Sequence, residues 1–518
     1  MACYFSPAMK TSVDLFLLIR SLSKSEKRYF KLDAQRQKAK GGANYLKLFD
    51  AIEKQENYDE EKLKKQFAGS IFIKHLPSEK NYLYSLIVKS LVKYHASTSV
   101  EIELDELIHS AEILFKKGLY AQSNKILSKA MNSALENELF SRIFKISELQ
   151  LNLIPHVSSL EEKMNSGYER SLASVRLALE KLENQNRYNE LHSRLYRMIR
   201  KEGELVRTRE ELSRFEKIMN DPLMQNESLA LSKTSRRLFY FIQSTYYHIT
   251  GDAKQALYYE LRELAEMESD KKLIAKDSLV YTARVSNLCE TLLRMKNFDL
   301  CKKYLDKLKN AAAEFQLEKA RLFYRYYDFS LRLFVQTGDF EKAVALTKTI
   351  EAGLEKYKEN IHVSRQISIY YYLAYAHFGC GNFKNALYWI NKVYEEKTDL
   401  RSDLLCYARL LNCIIHFELK NYLLLESTFK SAQYFFSKRK KMFRLETSFL
   451  KHFRKISNIP DSLSVHAIFK KFKIELDELL HDEHEKSALE YFDLLAWLDS
   501  KLNSTSFATS VQHRLLPA

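Results

Sequence analysis

The chain has 518 residues and a formal net charge of +16, with 46% hydrophobic residues but only 11 Gly and 6 Pro. Length and apolar content admit about three domains or one long repetitive structure, and so few turn formers exclude a sheet-rich fold in favour of an all-α one. The same scarcity argues against Gly-rich phosphate loops, and no Gly-x-Ser-x-Gly, His-Glu-x-x-His or Cys-x-x-Cys occurs, so the common nucleotide, hydrolase and metal sites are disfavoured and no cofactor is expected.

The first segment, 1–95, carries 18 Lys and Arg against 10 Asp and Glu. Its apolar run Leu15–Ile19 is short and flanked by Asp14 and Arg20, which suits neither a signal peptide nor a membrane span. The helical pattern starts only after Met9, so Met9 as well as Met1 can serve as the initiator. Helices are expected over 12–22, 24–35, 45–56, 60–67 and 79–95, with a capping box at Ser23 and Glu26. Such short basic helices form either a cap for a helical array after residue 100 or a module that meets nucleic acid. A small polar linker, Ala96–Ser99, closes the segment.

From about residue 100 a new rhythm begins. Around "FGCGNFKNALYWI", Tyr370, Leu373, Ala374 and His377 recur at helical spacing before Gly381, and Phe383, Ala386, Leu387, Ile390 and Val393 after it. That is two amphipathic helices joined by a tight turn. Gly381 can close the first helix in a left-handed conformation, and Asn382 can cap the second. The same frame recurs around Gly118, Gly251, Lys296, Gly338 and Lys420. The turns from 251 to 420 stand 39 to 45 residues apart, the period of stacked helical hairpins. The interval from 118 to 251 has room for about three more periods.

The residues Tyr370, Leu373, Ala374, Gly381, Phe383, Ala386 and Val393 resemble the tetratricopeptide repeat family, best over 366–394 and less closely in four other hairpins. The period here exceeds the family's ~34 residues and the usual closing Pro is missing, so the helices are expected to be longer. The resemblance implies a right-handed superhelical solenoid over 100–435 whose first helices line a concave groove for peptides or proteins. It carries no catalytic residues. Matching positions give the groove Tyr371, Tyr375 and Phe378, then Arg325, Asp328 and Arg332 one hairpin earlier, and Arg294 and His248 further back. Aromatic rings and Arg together suit a peptide with acidic and apolar side chains.

The last segment, 436–518, is expected to form a C-terminal helical cap. Its Met442, Leu445, Phe449 and Phe453 make a buried stripe, while Lys440, Arg444, Lys451 and Lys455 share another face that could meet phosphates or an acidic partner. The duplicated strings "ELDELIH" and "ELDELLH" each hold a Glu-x-x-His unit. The pairs Glu106–His109 and Glu478–His481 fall off the apolar stripes, however, toward solvent rather than toward a metal. Six scattered cysteines fit reduced thiols in the cytoplasm better than a disulfide framework. The leading reading is a non-enzymatic scaffold that binds protein or peptide. The alternative is a nucleic-acid-associated regulator with a basic N-terminal module and a ligand-sensing solenoid.

Overall fold

The computed structural model describes residues 11–36, 42–95, 100–157, 161–202, 209–269, 274, 277–313, 315–396, 400–438, 444–456, 462–481, 489 and 491–515. Among these the chain is helical throughout, with no strand. It divides into two compact units, Met1–Arg197 with Asn220–Phe239, and Met198–Met219 with Tyr240–Ala518.

The first unit opens with α1 (Thr11–Ser21), α2 (Lys24–Arg36), α3 (Gly42–Glu53), α4 (Glu60–Gln66) and α5 (Leu76–His95). These helices bury Leu15, Ile19, Phe49, Leu83 and Ile87 together. The capping box forms at α2: the Glu26 backbone N–H donates to Ser23 Oγ at 3.2 Å, and the Ser23 N–H to Glu26 Oε2 at 2.7 Å. Lys80 is buried and reaches Glu60 at 2.6 Å. The expected linker at 96–99 lies outside the described residues.

Next come α6 (Val100–Lys116), α7 (Tyr120–Glu136), α8 (Phe140–Val157) and α9 (Glu161–Glu202). Further hairpins were expected before 251. Among the described residues one closes at Glu138, where α7 packs on α8, and α9 then runs on for 42 residues. Nothing in that run breaks a helix: it holds no Pro, and its only Gly, Gly167, packs against Ile154. The 3₁₀ turns at 222–229 fold back onto it, with the Tyr188 hydroxyl donating to the Leu223 carbonyl at 2.8 Å.

After α10 (Arg209–Met219) and α11 (Lys233–Thr250), the second unit is built of α12 (Ala253–Glu268), α13 (Ser278–Arg294), α14 (Phe298–Lys309), α15 (Gln316–Gln336), α16 (Phe340–Ala345), α17 (Thr347–Tyr357), α18 (Val363–Gly379), α19 (Phe383–Glu395), α20 (Ser402–Glu418), α21 (Tyr422–Lys438), α22 (Arg444–Ile456), α23 (Ser462–Leu479), α24 (Leu494–Leu502) and α25 (Phe507–His513). Most successive helices from α12 onward pack as neighbours, and α13, α15, α18 and α20 also pack on one another in turn.

One helix stop recurs along the chain. Residues 118, 138, 296, 338, 381 and 420 all have positive φ. At each, the next residue's N–H returns to the carbonyl five positions earlier, as Asn382 to His377 at 2.9 Å and Asn421 to His416 at 2.9 Å. This double return satisfies carbonyls that a helix end otherwise leaves unpaired. The two glycines of "FGCGNF" therefore do different work. Gly381 supplies the left-handed residue (φ 72°). Gly379 lets the Phe340 ring approach, since a Cβ there would lie 2.2 Å from it.

A single apolar core runs from Ala320 to Val511. The last segment, from Phe436 to Val511, shares this core with the hairpins before it. Trp497 is wholly buried among Phe417, Phe453 and Phe469, which places the last helices inside the core of the preceding hairpins.

Candidate functional site

The expected groove residues come together on α13, α15 and α18, but not as an open surface. Tyr371, Tyr375 and Phe378 stand at i, i+4 and i+7 on one face of α18, and all three are buried. What covers them is the chain's own segment 491–515. The Tyr371 hydroxyl donates to the Tyr491 carbonyl at 3.1 Å, and the Asp493 N–H donates to the Tyr375 hydroxyl oxygen at 3.0 Å. Phe378 packs against Phe492 and Phe507 with ring centroids 5.5 and 5.4 Å apart. The segment is pinned further by polar contacts. The Trp497 indole donates to Glu418 at 2.7 Å, Lys501 meets the same carboxylate, and Lys473 of α23 pairs with Asp499. A cavity of about 570 Å³ remains between the turns at Gly338 and Gly381 and the helices α24 and α25, bordered by Cys380, Glu418 and Lys501.

The missed partners of this face are polar. On α13, Glu290 receives both guanidinium arms of Arg332, one at 2.6 Å, and Arg294 lies 3.4 Å away. Burial by itself would raise the Glu290 carboxyl; Arg332 first, then Arg294 and Arg401, hold it down to about 2. Arg332 also lies over the rings of Phe329 and Tyr372, 5.2 and 5.7 Å from their centroids. Burial, against the pull of Arg332, pushes the Tyr372 hydroxyl up to about 12. Asp328 is buried and accepts from the Ser368 hydroxyl. Arg401, left-handed at φ 54°, pairs with Asp403 at 2.9 Å, and Asp403 also accepts from the Tyr491 hydroxyl at 3.1 Å. This charge network thus reaches the covering segment too. His248 sits apart from it, hydrogen-bonded to Glu260 at 2.8 Å with Thr291 on the same carboxylate.

Toward the N-terminal ends of α15 and α18 the same surface changes character. Arg325 is half-buried and donates to the Leu279 carbonyl and the Thr282 hydroxyl, both neutral. Arg325 and Arg365 both lie near the Tyr324 ring, 5.9 and 5.7 Å from its centroid. Arg321 stands one turn before Arg325. Burial lowers the Arg325 pKa, and the like charges of Arg321 and Arg365 lower it further against the opposing pull of Tyr324. The pair Arg321–Arg325 was visible as an i, i+4 repeat, and Arg365 follows Arg325 by 40 residues, close to the hairpin period.

The second expected face is partly committed elsewhere. Lys451 pairs with Glu475 at 2.9 Å, and buried His452 reaches the same oxygen at 2.9 Å. Arg444 and Lys455 are exposed, and Lys440 lies outside the described residues. The stripe Leu445, Phe449 and Phe453 is buried as expected. Glu106, His109, Glu478 and His481 all face solvent, and no cluster among the described residues could hold a metal ion. The five described cysteines are free thiols. No described helix is long and apolar enough to cross a membrane. Compared with known proteins, the chain matches no family model and no curated protein.

Proposed function

We propose that the chain is a non-enzymatic cytoplasmic scaffold of stacked, tetratricopeptide-like hairpins, wound as a solenoid, that holds a peptide or protein segment on the faces of its first helices. The observation that carries this reading is the seating of 491–515 on Tyr371, Tyr375 and Phe378. The segment's anchors on that face are apolar, with Phe492 and Phe507 against Tyr375 and Phe378, while its Asp493 and Asp499 carboxylates pair with Arg514 and Lys473 rather than with an arginine of the face. The recurrence of one turn geometry at 296, 338, 381 and 420, near-evenly spaced, supports the repeat reading over that part of the chain.

The nucleic-acid alternative draws less support. Lys27, Lys31, Lys64, Lys80 and Lys93 of the basic N-terminal segment all lie against carboxylates, which removes much of the field a phosphate backbone would meet. The test is photo-crosslinking from a reactive residue placed at 365, beside the arginines, and from one at exposed Tyr388 on α19 as the control. Discrete proteins captured from 365 and absent from 388 are expected. Nucleic acid alone from 365, or the same proteins from both positions, would overturn the reading.

A further inference from the structure

The long helix α9 carries two stripes. One faces the chain's own elements. Ser171, Ala178, Asn184 and Tyr188 are buried there, Asn184 donates to the Leu229 carbonyl at 2.8 Å, and Lys181 lies over the Phe140 ring. The other stripe is Tyr168, Leu172, Val175, Leu179, Leu182 and Asn186, which follow one another at intervals of 4, 3, 4, 3 and 4 residues. At 3.6 residues per turn these six positions fall within an arc of about 80°. Leu172, Leu179 and Leu182 are 37%, 48% and 40% exposed. Single exposed leucines are ordinary on a helix surface. Five apolar residues kept in strict 3.5-residue register are not, since that spacing is the a and d seam of two supercoiled helices.

We propose that this seam pairs with the same seam of a second copy of the chain, in parallel and in register. The charges beside it select the occupant and its direction. Glu169, Arg176, Glu183 and Glu190 flank the seam on one side, and Ser171, Ala178 and Gln185, all uncharged, on the other. A parallel copy sets each charged residue against an uncharged one, so no like charges meet. An antiparallel copy overlapping the whole seam would bring Glu169 beside the Glu183 of its partner, and Arg176 beside its own counterpart, and both contacts repel. Parallel register also sets Asn186 against Asn186. One amide N–H of Asn186 already donates to Glu190 at 3.1 Å, which leaves its second N–H and its carbonyl for the other copy. A polar Asn at a single a position fixes register at some cost in stability. The helix itself is already formed and held by its buried stripe, so pairing does not have to order it. This pairing is independent of what the first helices of the array hold.

The experiment uses the full chain in analytical ultracentrifugation, with circular dichroism melts of every variant. At micromolar loading the wild type should sediment at twice the chain mass. Leu179→Glu with Leu182→Glu should sediment as a monomer and melt like the unpaired wild type at high dilution, because both side chains are exposed. The milder Leu179→Ala should raise the dimer dissociation constant at least about tenfold, since it removes a leucine from each copy in one layer. Leu177→Glu, an exposed leucine on the opposite side of α9, should leave the dimer intact. Register is read by copper-catalysed oxidation against the wild type: Asn186→Cys should give a covalent dimer and Leu177→Cys should not. A monomeric wild type, a dimer that survives the double glutamate variant, or Leu179→Ala without effect would overturn the proposal. So would a larger assembly, or a covalent dimer from position 177 but not from 186.

Discussion

Replacing Glu290 with Gln keeps the shape of the side chain and removes the charge that Arg332 grips. The Glu290 carboxyl sits near 2 in the folded chain against an ordinary 4.5, the net of burial raising it and the three arginines lowering it. That difference corresponds to about 3 kcal/mol of preference for the ionised form, and the side chain is only 27% exposed. Because the folded pKa is depressed, this stability is present in full above about pH 4.5 and drains away as the pH falls toward about 2. The variant should therefore unfold with about 3 kcal/mol less stability at pH 7, and the difference should close between roughly pH 4.5 and 2. Urea titration read by tryptophan fluorescence is the assay, since both tryptophans of the chain, Trp389 and Trp497, lie in the same unit as the ion pair. A loss below about 1 kcal/mol at pH 7, or a difference that stays constant down to pH 2, would refute the reasoning.

Gly381→Ala should cost about 1 kcal/mol, all of it from the left-handed backbone, because a Cβ there meets nothing within 4 Å. Gly379→Ala should cost more, since its methyl would press on Phe340 at 2.2 Å, so thermal melts should rank wild type above Gly381→Ala above Gly379→Ala. Lys420→Gly relieves a non-glycine residue at φ 58° and should raise stability by up to about 1 kcal/mol in the same melts. Trp497→Ala removes a wholly buried ring and its bond to Glu418 and should cost about 3–5 kcal/mol; limited trypsin digestion should then cut faster at Lys501 and Arg514, and unchanged cleavage would mean that the segment is held chiefly by its ion pairs.

The helical class and the hairpin turns were legible because both are local. Gly and Pro scarcity, 3.6-residue periodicity and a Gly-Asn or Lys-Asn stop each act within a few positions. The N-terminal helices emerged within a few residues of expectation for the same reason. What was not legible is long-range. The run "YYYLAYAHF" is apolar on every side of α18, which signals a helix covered on every side; reading only one stripe as packed left the other free for a partner. Nothing local says that Tyr371 meets a carbonyl 120 positions later, or that Glu290 meets Arg332 across 42. Beyond the hairpin at Glu138 the rhythm did not carry on, because 161–202 holds no Pro and no exposed Gly to stop a helix and runs as one 42-residue element.

The covering of α18 by residues far along the chain has a consequence during synthesis. Tyr371 is made about 120 residues before Tyr491, which at a usual elongation rate of ~5–20 residues per second is an interval of roughly 6–24 seconds. Throughout it, Tyr371, Tyr375 and Phe378 have been translated while the rings that will enclose them do not yet exist. A nascent chain of this protein thus carries a sticky aromatic strip for seconds. Slowed translation between codons 380 and 490 should lengthen that exposure and lower the soluble yield, with no change in the finished protein's stability.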